Sequence, residues 1–381
     1  MKTALLHYWL TNMRGGEKVL AALGEMLPDA DIFTHAFGKG MRDEEKGRCG
    51  GSRWMGHRVT ESVIARLPFG RRHPQAYLPL MPAATRSLNI DGYDLIVSSE
   101  SGPIKGIRKP KDSRHVCYCH TPMRYLWDMH DEYYRSAGIG GKIAMKLFTP
   151  YLRKEDLKSA ESVDAFVANS AFVAERIRRI YGRESTVVHP PVDVDFFGAS
   201  FQCPHPAGLE PKSYYLYAGE LRDYKRPDLA VEACLRMRRK LVVVGNGKMR
   251  ETLRHRIGGR AEVVFLGRIS DDELRSVFVN ARALLFPGVE DFGIVPVEAQ
   301  AAGTPVIALG KGGALETVRE GVTGLFFGSQ IAESLCEAIE TFEAKRWNPD
   351  DCRKNAARFS PSAFKSKMQS VLQDSMGCRW V

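Results

Sequence analysis

Residues 283–306 read Ala283-Leu-Leu-Phe-Pro-Gly-Val-Glu290-Asp-Phe-Gly293-Ile-Val-Pro-Val-Glu298-Ala-Gln-Ala-Ala-Gly-Thr-Pro-Val306. The run 283–287 is short, apolar and closed by proline, which is the pattern of a buried strand. After Gly293 the pattern turns helical, and Pro296 is tolerated in a first helical turn. Glu290 is therefore expected in a loop at the carboxyl end of a strand. Glu298 is expected in the first turns of the next helix. The amides of 292–295 would leave the positive end of that helix, which suits a phosphate. The two glutamates would accept sugar hydroxyls on either side of it. An ordinary strand-to-helix connection with solvated glutamates has the same spacing.

Outward from this block, short strands alternate with helices. In the first half, strands are expected at 2–7, 31–35, 94–98, 115–119, 165–168 and 186–189. Helices are expected at 16–26, 171–181 and 142–159. A proline cluster follows from Pro190, with Pro204, Pro206 and Pro211, and reads as a linker. The alternation restarts with strands at 214–218, 241–244, 262–266, 283–286, 306–309 and 325–327. The fold class is α/β, with two Rossmann-like doubly wound domains facing a cleft. The boundaries are 1–190 for the first domain, 191–212 for the linker and 213–358 for the second domain. A last helical segment lies in 359–381 and is expected to pack back on the first domain. A chain of 381 residues suits two domains.

Composition removes several classes. No run of eighteen apolar residues occurs, so no transmembrane helix is expected. The start lacks the length and cleavage site of a signal peptide and reads as a strand. Eight cysteines are scattered. Cys117-Tyr-Cys119 is too tightly spaced for a zinc pair, which points to reduced thiols in a cytosolic protein. No Asp-X-Asp pair stands at a strand end and no metal is expected. No Gly-X-Ser-X-Gly element occurs, which disfavours a serine hydrolase.

The net charge of +10 is uneven: residues 1–190 hold 29 Lys+Arg against 21 Asp+Glu, and residues 191–381 hold 26 against 24. Residues 46–86 carry eight cations and one acid, Glu61, interleaved with Trp54, Met55, Val59, Ile64, Leu67, Phe69, Tyr77 and Leu78. Such a surface suits an anionic membrane face or a lipid diphosphate, with Arg71 and Arg72 in it. A solvated basic loop reads the same way. Nucleic acid would leave a similar footprint, but no basic tail, zinc finger or RNA-binding signature supports it.

The remaining motifs stand at strand ends. Gly15-Gly16 opens the first helix and would let amides approach an anion, as would a simple tight turn. Lys225-Arg226 follows a strand and offers cations to a phosphate, or merely opens a helix. Gly245-Asn-Gly247 lacks the rest of a dinucleotide fingerprint, since position 250 is Arg. Gly310-Lys-Gly312-Gly313 precedes a helix expected at 314–320 and is a candidate nest for a phosphate or sugar. His120-Thr-Pro-Met-Arg124-Tyr-Leu-Trp-Asp128 places a histidine at a strand tip before a proline-set turn. Its imidazole would donate to a ligand hydroxyl or phosphate, or sit as a buried structural histidine.

Taken together these residues resemble a retaining glycosyltransferase of family 4 with the GT-B architecture, along nearly the whole chain. The resemblance rests on Gly15-Gly16, the His120 turn, Pro190-Pro-Val-Asp193, the Lys225 loop, the 290–298 block, Gly303-Thr-Pro-Val-Ile and Gly312-Gly-Ala-Leu-Glu-Thr-Val. The segments from His120 to Asp128 and from Tyr224 to Glu232 resemble the mannosyltransferases that build bacterial exopolysaccharide and O-antigen units.

The resemblance implies roles. Glu290 would hold a hydroxyl of the donor sugar and Glu298 the ribose hydroxyls. Lys225, Gly15, Gly16 and amides near Asp291, Phe292, Gly293 and Ile294 would hold the diphosphate, with Arg222 or Arg226 adding charge. His120 would touch the donor sugar or the reacting oxygens, and the backbone at Arg268-Ile269 would meet the base. Arg71, Arg72 and Arg124 would lie on the acceptor or membrane side. The implied donor is GDP-mannose, and the acceptor is lipid-linked or a growing polysaccharide. The setting is the cytoplasm, peripheral at the inner face of the plasma membrane. No cofactor, metal or nucleic acid is expected. Many relatives carry Arg after the glycine of the phosphate loop, where this chain has Glu220. A nucleotide-sugar 2-epimerase of the same architecture and a nonenzymatic binder of sugar nucleotides or nucleic acid are the alternatives.

Overall fold

The structure is a computed structural model that describes residues 1–38, 41, 56–199 and 209–377. The chain divides into two compact units. One comprises Met1–Pro191 with Phe364–Val381, and the other comprises Val192–Ala363.

Among the described residues, the first unit carries a parallel sheet in the order β3-β2-β1-β4-β5-β6-β7. Its strands are β1 (Thr3–His7), β2 (Asp31–Thr34), β3 (Val59–Glu61), β4 (Leu95–Glu100), β5 (Arg114–Cys119), β6 (Ala165–Ala168) and β7 (Ser185–Val187). The central strands are buried on both faces, as in parallel sheets generally. The helix Ala171–Tyr181 shows how local chemistry sets bounds. The Ser170 hydroxyl accepts from the Val173 amide at 3.1 Å, Val173 and Ile177 are buried, and Gly182 ends the helix at φ 63°. In the last helix, Phe364, Met368, Leu372 and Met376 recur at every fourth position and join the core of this unit. Cys117 and Cys119 are buried thiols in β5, two residues apart on one face.

The second unit's sheet runs β10-β9-β8-β11-β12-β13. Its strands are β8 (Tyr214–Ala218), β9 (Lys240–Val244), β10 (Val263–Gly267), β11 (Ala283–Phe286), β12 (Val306–Leu309) and β13 (Gly324–Phe327). All pairings are parallel. Part of the expected linker belongs here. Val194–Gly198 forms a short helix capped by Asp193, and Val192, Val194 and Phe197 are buried in this unit's core. The helix expected at 314–320 is shorter, Ala314–Thr317, because Val318 takes an extended conformation.

In both sheets the chain winds outward from a central strand and then restarts on its other side. The reversal falls between β1 and β4 in the first unit and between β8 and β11 in the second. Ligands of open α/β sheets sit in the crevice outside the carboxyl ends at such a reversal.

Candidate active site

The second unit's crevice is lined by the loops leaving β8 and β11. Lys225 lies in a one-turn helix after β8 and Glu290 in the loop after β11. The Lys225 Nζ is 2.8 Å from the Glu290 Oε1, so one ion pair bridges the reversal point. Both side chains are largely withdrawn from solvent, at 22% and 17% exposure. Burial works against the Lys225 charge, but Glu290, with Tyr224 and Glu220, outweighs it and holds the ammonium above its ordinary value. The Glu290 Oε1 has no aligned hydrogen bond, which leaves it able to accept from a ligand hydroxyl.

Glycines make this arrangement possible by letting loops touch backbone to backbone. A Cβ on Gly288 would fall 2.8 Å from the Lys225 Cα. A Cβ on Gly312 would fall 2.5 Å from the Glu290 carbonyl oxygen, and one on Gly313 2.3 Å from Phe292 backbone atoms. The Gly313 amide donates to the Glu290 carbonyl at 2.9 Å. Gly245 and Gly247 serve a similar end, since Cβ atoms there would strike Gly219 and Leu221 at 2.0 and 2.3 Å. These two glycines seat the β9 loop on the β8 loop.

Gly293, at φ 89°, turns the chain into the helix Ile294–Ala301, which carries Pro296 and the buried Glu298. A polar network fixes that helix from behind. The Gln300 amide donates to the Pro296 carbonyl at 3.0 Å and to the Thr317 carbonyl at 2.8 Å, and Asn355 donates to the Gln300 Oε1 at 2.7 Å. Such fully paired buried amides specify one packing. Phe292 is in the core, edge-on to Phe359 at 5.4 Å, and Asp291 is buried beside it.

The two flanking arginines are engaged locally. The Arg222 Nε donates to Glu220 at 2.8 Å, and Arg226 grips Asp228 at 2.9 Å from a left-handed backbone at φ 53°. Glu220 is thus turned onto Arg222. Arg268 and Ile269 follow β10 at the same sheet edge, with Arg268 exposed and Ile269 against the core. Nearby, Arg250 donates to the Asn246 Oδ1 at 2.7 Å.

The first unit's crevice gathers residues from β1, β4 and β5. Gly16 opens the helix Gly15–Met26, and a Cβ on it would lie 3.3 Å from the Tyr8 Oη and 3.4 Å from the His120 Nε2. Two residues read separately in the sequence, Gly16 and His120, are therefore neighbours. The His120 Nε2 and Ser99 Oγ share a hydrogen bond at 2.9 Å. Burial, with His7 adding to it, pushes the His120 imidazole down to about 3, so it is neutral at physiological pH. Burial also raises the Tyr8 phenol, with Glu17 adding, so it stays protonated. His7 is fully buried, 3.7 Å from the Glu17 carboxylate, and neither ring nitrogen has a hydrogen-bond partner among the described residues.

His7, Tyr8, Ser99 and Glu17 are additions to the sequence reading. The polar run Ser98-Ser-Glu-Ser101 at the end of an apolar strand was the visible signal for Ser99. Arg124 lies in the turn after His120, and its carbonyl accepts from Met129. Arg71 makes a two-pronged pair with Glu61, at 2.6 Å and 3.0 Å, while Arg72 is exposed. Lys46, Arg48, Arg53, Trp54 and Met55, part of the expected basic surface, lie outside the described residues.

Residues 13–196 match the family Glycosyltransferase Family 4, and residues 206–359 match Glycosyl transferases group 1. The chain carries the two domains of a GT-B glycosyltransferase. Solved structures agree on the fold. The Anabaena protein HepE in complex with UDP superposes at a TM-score of 0.70 with 18% identity, covering 98% of this chain and 100% of that one. Sucrose-phosphate synthase from Thermosynechococcus elongatus superposes at 0.72 with 20% identity, covering 98% and 99%. A D-inositol 3-phosphate glycosyltransferase of a Mycobacterium species is 32% identical over 180 residues, 43% of this chain and 41% of the relative. An uncharacterised glycosyltransferase of Methanocaldococcus jannaschii is 38% identical over 105 residues, 26% of this chain and 27% of the relative. The matched stretches thus span less than half the length of these curated relatives. In this GT-B chain the group 1 domain holds the Lys225–Glu290 pair, and the family 4 domain holds Gly16 and His120.

Proposed function

We propose that the protein transfers a hexose, with retention, from a nucleotide sugar to a lipid-linked or growing polysaccharide acceptor. Mannose from GDP-mannose is the favoured donor. The observation that carries the transferase reading is the Lys225–Glu290 ion pair across the β8/β11 reversal, beside the amino end of the helix Ile294–Ala301. The bond from the anomeric carbon to the phosphate breaks with its electron pair leaving on the diphosphate. Lys225 and the helix-end amides stabilise that charge, a task elsewhere given to a metal ion, so transfer proceeds without one. Glu290 accepts a sugar hydroxyl, and Glu298 holds the ribose. The acceptor oxygen attacks from the face the phosphate leaves, and its proton passes to a phosphate oxygen.

The mannosyl assignment rests on the segments around His120 and Tyr224. The solved relatives named above include one bound to UDP, so the base is the first thing to test. A thermal-shift panel of GDP-, UDP- and ADP-sugars should show the largest rise with GDP-mannose. Turnover with polyprenyl-diphosphate-linked acceptors in EDTA should then proceed. A stronger response to UDP-sugars would replace the donor and keep the transferase. Conversion of the sugar nucleotide without any acceptor would make the protein an epimerase.

A further inference from the structure

The first unit contains a long helix of which only the carboxyl-terminal part is buried against the fold. Ile139–Glu161 packs through Thr149, Leu152, Asp156, Ser159 and Ala160, with no buried residue before Thr149. None of the residues 139–147 is buried, and neither is any residue of the preceding helix His130–Ser136. Pro150 stands where the packed half begins. Its ring removes a backbone donor at that turn.

The unpacked half is apolar where a surface helix should be polar. Ile139 is 82% exposed, Ile143 63% and Leu147 67%. Spaced four apart, they lie along one stripe. Tyr151, also exposed, continues it. Cations accompany the stripe: residues 133–154 hold Arg135, Lys142, Lys146, Arg153 and Lys154 and no acid. On the helical wheel Lys142 and Lys146 flank the apolar stripe on one side and Lys154 falls within it.

We propose that the Ile139–Leu147 stripe is the element by which this protein docks on an anionic lipid surface. The isoleucines and the leucine would enter the boundary between headgroups and acyl chains. The lysines would reach the phosphates, their stems lying along the apolar face. Charge complementarity selects this occupant. A second copy meeting the same face would set Lys142 and Lys146 against their own counterparts, whereas anionic headgroups neutralise them. The site differs from the 46–86 surface, where Arg71 is already neutralised by Glu61. It is independent of the donor assignment, since it rests on the first unit alone.

The test uses the full chain and co-sedimentation with vesicles of phosphatidylcholine, with or without roughly 30% phosphatidylglycerol, at low and moderate salt. Wild type should bind the anionic vesicles and bind them less as salt rises. Ile143→Ser/Leu147→Ser and Lys142→Glu/Lys146→Glu should each lower binding about tenfold or more. Because none of these side chains is buried, both variants should keep the wild-type melting temperature and donor-induced thermal shift. Arg71→Glu/Arg72→Glu should bind nearly as well as wild type. Unchanged binding in the two helix variants would overturn the proposal. So would a loss confined to the Arg71/Arg72 variant, which would move the contact to the 46–86 surface. A change from dimer to monomer in Ile143→Ser/Leu147→Ser, with vesicle binding intact, would assign the face to a second copy instead.

Discussion

The two units place their crevices at the same topological position and furnish them with opposite chemistry. The second unit's crevice is ionic: Lys225 meets Glu290, with Arg222–Glu220 and Arg226–Asp228 at its margin. The first unit's crevice centres on neutral donors and acceptors: the imidazole of His120, the hydroxyl of Ser99 and the phenol of Tyr8, with His7 and the Glu17 carboxylate behind them. The difference follows from what each can hold. A leaving diphosphate develops charge and is best met by a preset cation and helix-end amides. A hydroxyl that must lose a proton is best oriented by groups that do not change protonation with it. Under the proposed transfer, one sheet topology would serve two binding tasks, and the loops would decide which.

The largest effect should come from breaking the ionic crevice. Glu290→Gln keeps the side-chain volume and removes the charge, so kcat should fall by roughly a hundredfold or more with the fold intact. Glu298→Ala should act differently, raising the donor Kd by roughly tenfold while kcat changes little. Lys225→Ala should weaken the donor and also leave the half-buried Glu290 without its cation, lowering Tm as well. Steady-state kinetics with donor titration separates these. Near-normal rates in both glutamate variants would remove the carboxylates from the site.

Acid should separate the two units next. Burial pushes His35 down to about 4 and His115 down to about 3, and both belong to the first unit. Below the ordinary value of about 6.5 the unfolded chain takes up protons that these folded residues refuse. Their stabilisation is therefore complete above about pH 6.5 and is lost as pH falls toward 4 and then 3. At pH 5 the loss is about 2 kcal/mol for each of the two. His120, which keeps some solvent contact, should add less. The second unit's described histidine, His255, is exposed. Hydrogen exchange at pH 7 and pH 5, corrected for intrinsic rates, should show β4 and β5 losing protection while β8 and β11 keep theirs. Equal loss in both units would mean that the histidines do not set acid stability.

The sequence made the strands legible because a buried parallel strand is a short apolar run between turn residues. Ala165–Ala168, Tyr214–Ala218, Ala283–Phe286 and Val306–Leu309 coincide with the runs read from the chain. Val59–Glu61 was not legible, since three half-buried residues at a sheet edge carry no apolar run. The site was legible in part. Glu290 and Lys225 announced themselves as charges at strand ends. That they pair across 65 positions could not be read, because the reversal of strand order brings them together. His7 escaped for the same reason: its isolation is a property of the packed fold, where Glu17 and Gly16 close over it. The glycines at 312–313 read as a candidate phosphate or sugar nest, and their immediate work, like that of Gly245 and Gly247, is to let loops approach one another.

The smallest change tests the edge of the ionic crevice. Glu220 stands where a cation would help a diphosphate, and the structure turns its carboxylate onto Arg222 at 2.8 Å. The two side chains are about as exposed as buried, at 36% and 42%, so water screens the pair and it stabilises the fold by less than about 1 kcal/mol. Glu220→Gln should therefore leave Tm nearly unchanged. It should also remove a repulsion near the leaving phosphate and release Arg222 from one partner. The donor Kd should fall by roughly two- to fivefold, and more at low salt than at high, since a partly exposed charge acts through solvent. Isothermal titration at two ionic strengths reads this directly. A weaker donor in the variant would mean that Glu220 holds Arg222 where the diphosphate needs it. The carboxylate would then be a positioning group for the ionic crevice rather than a charge tolerated at its rim.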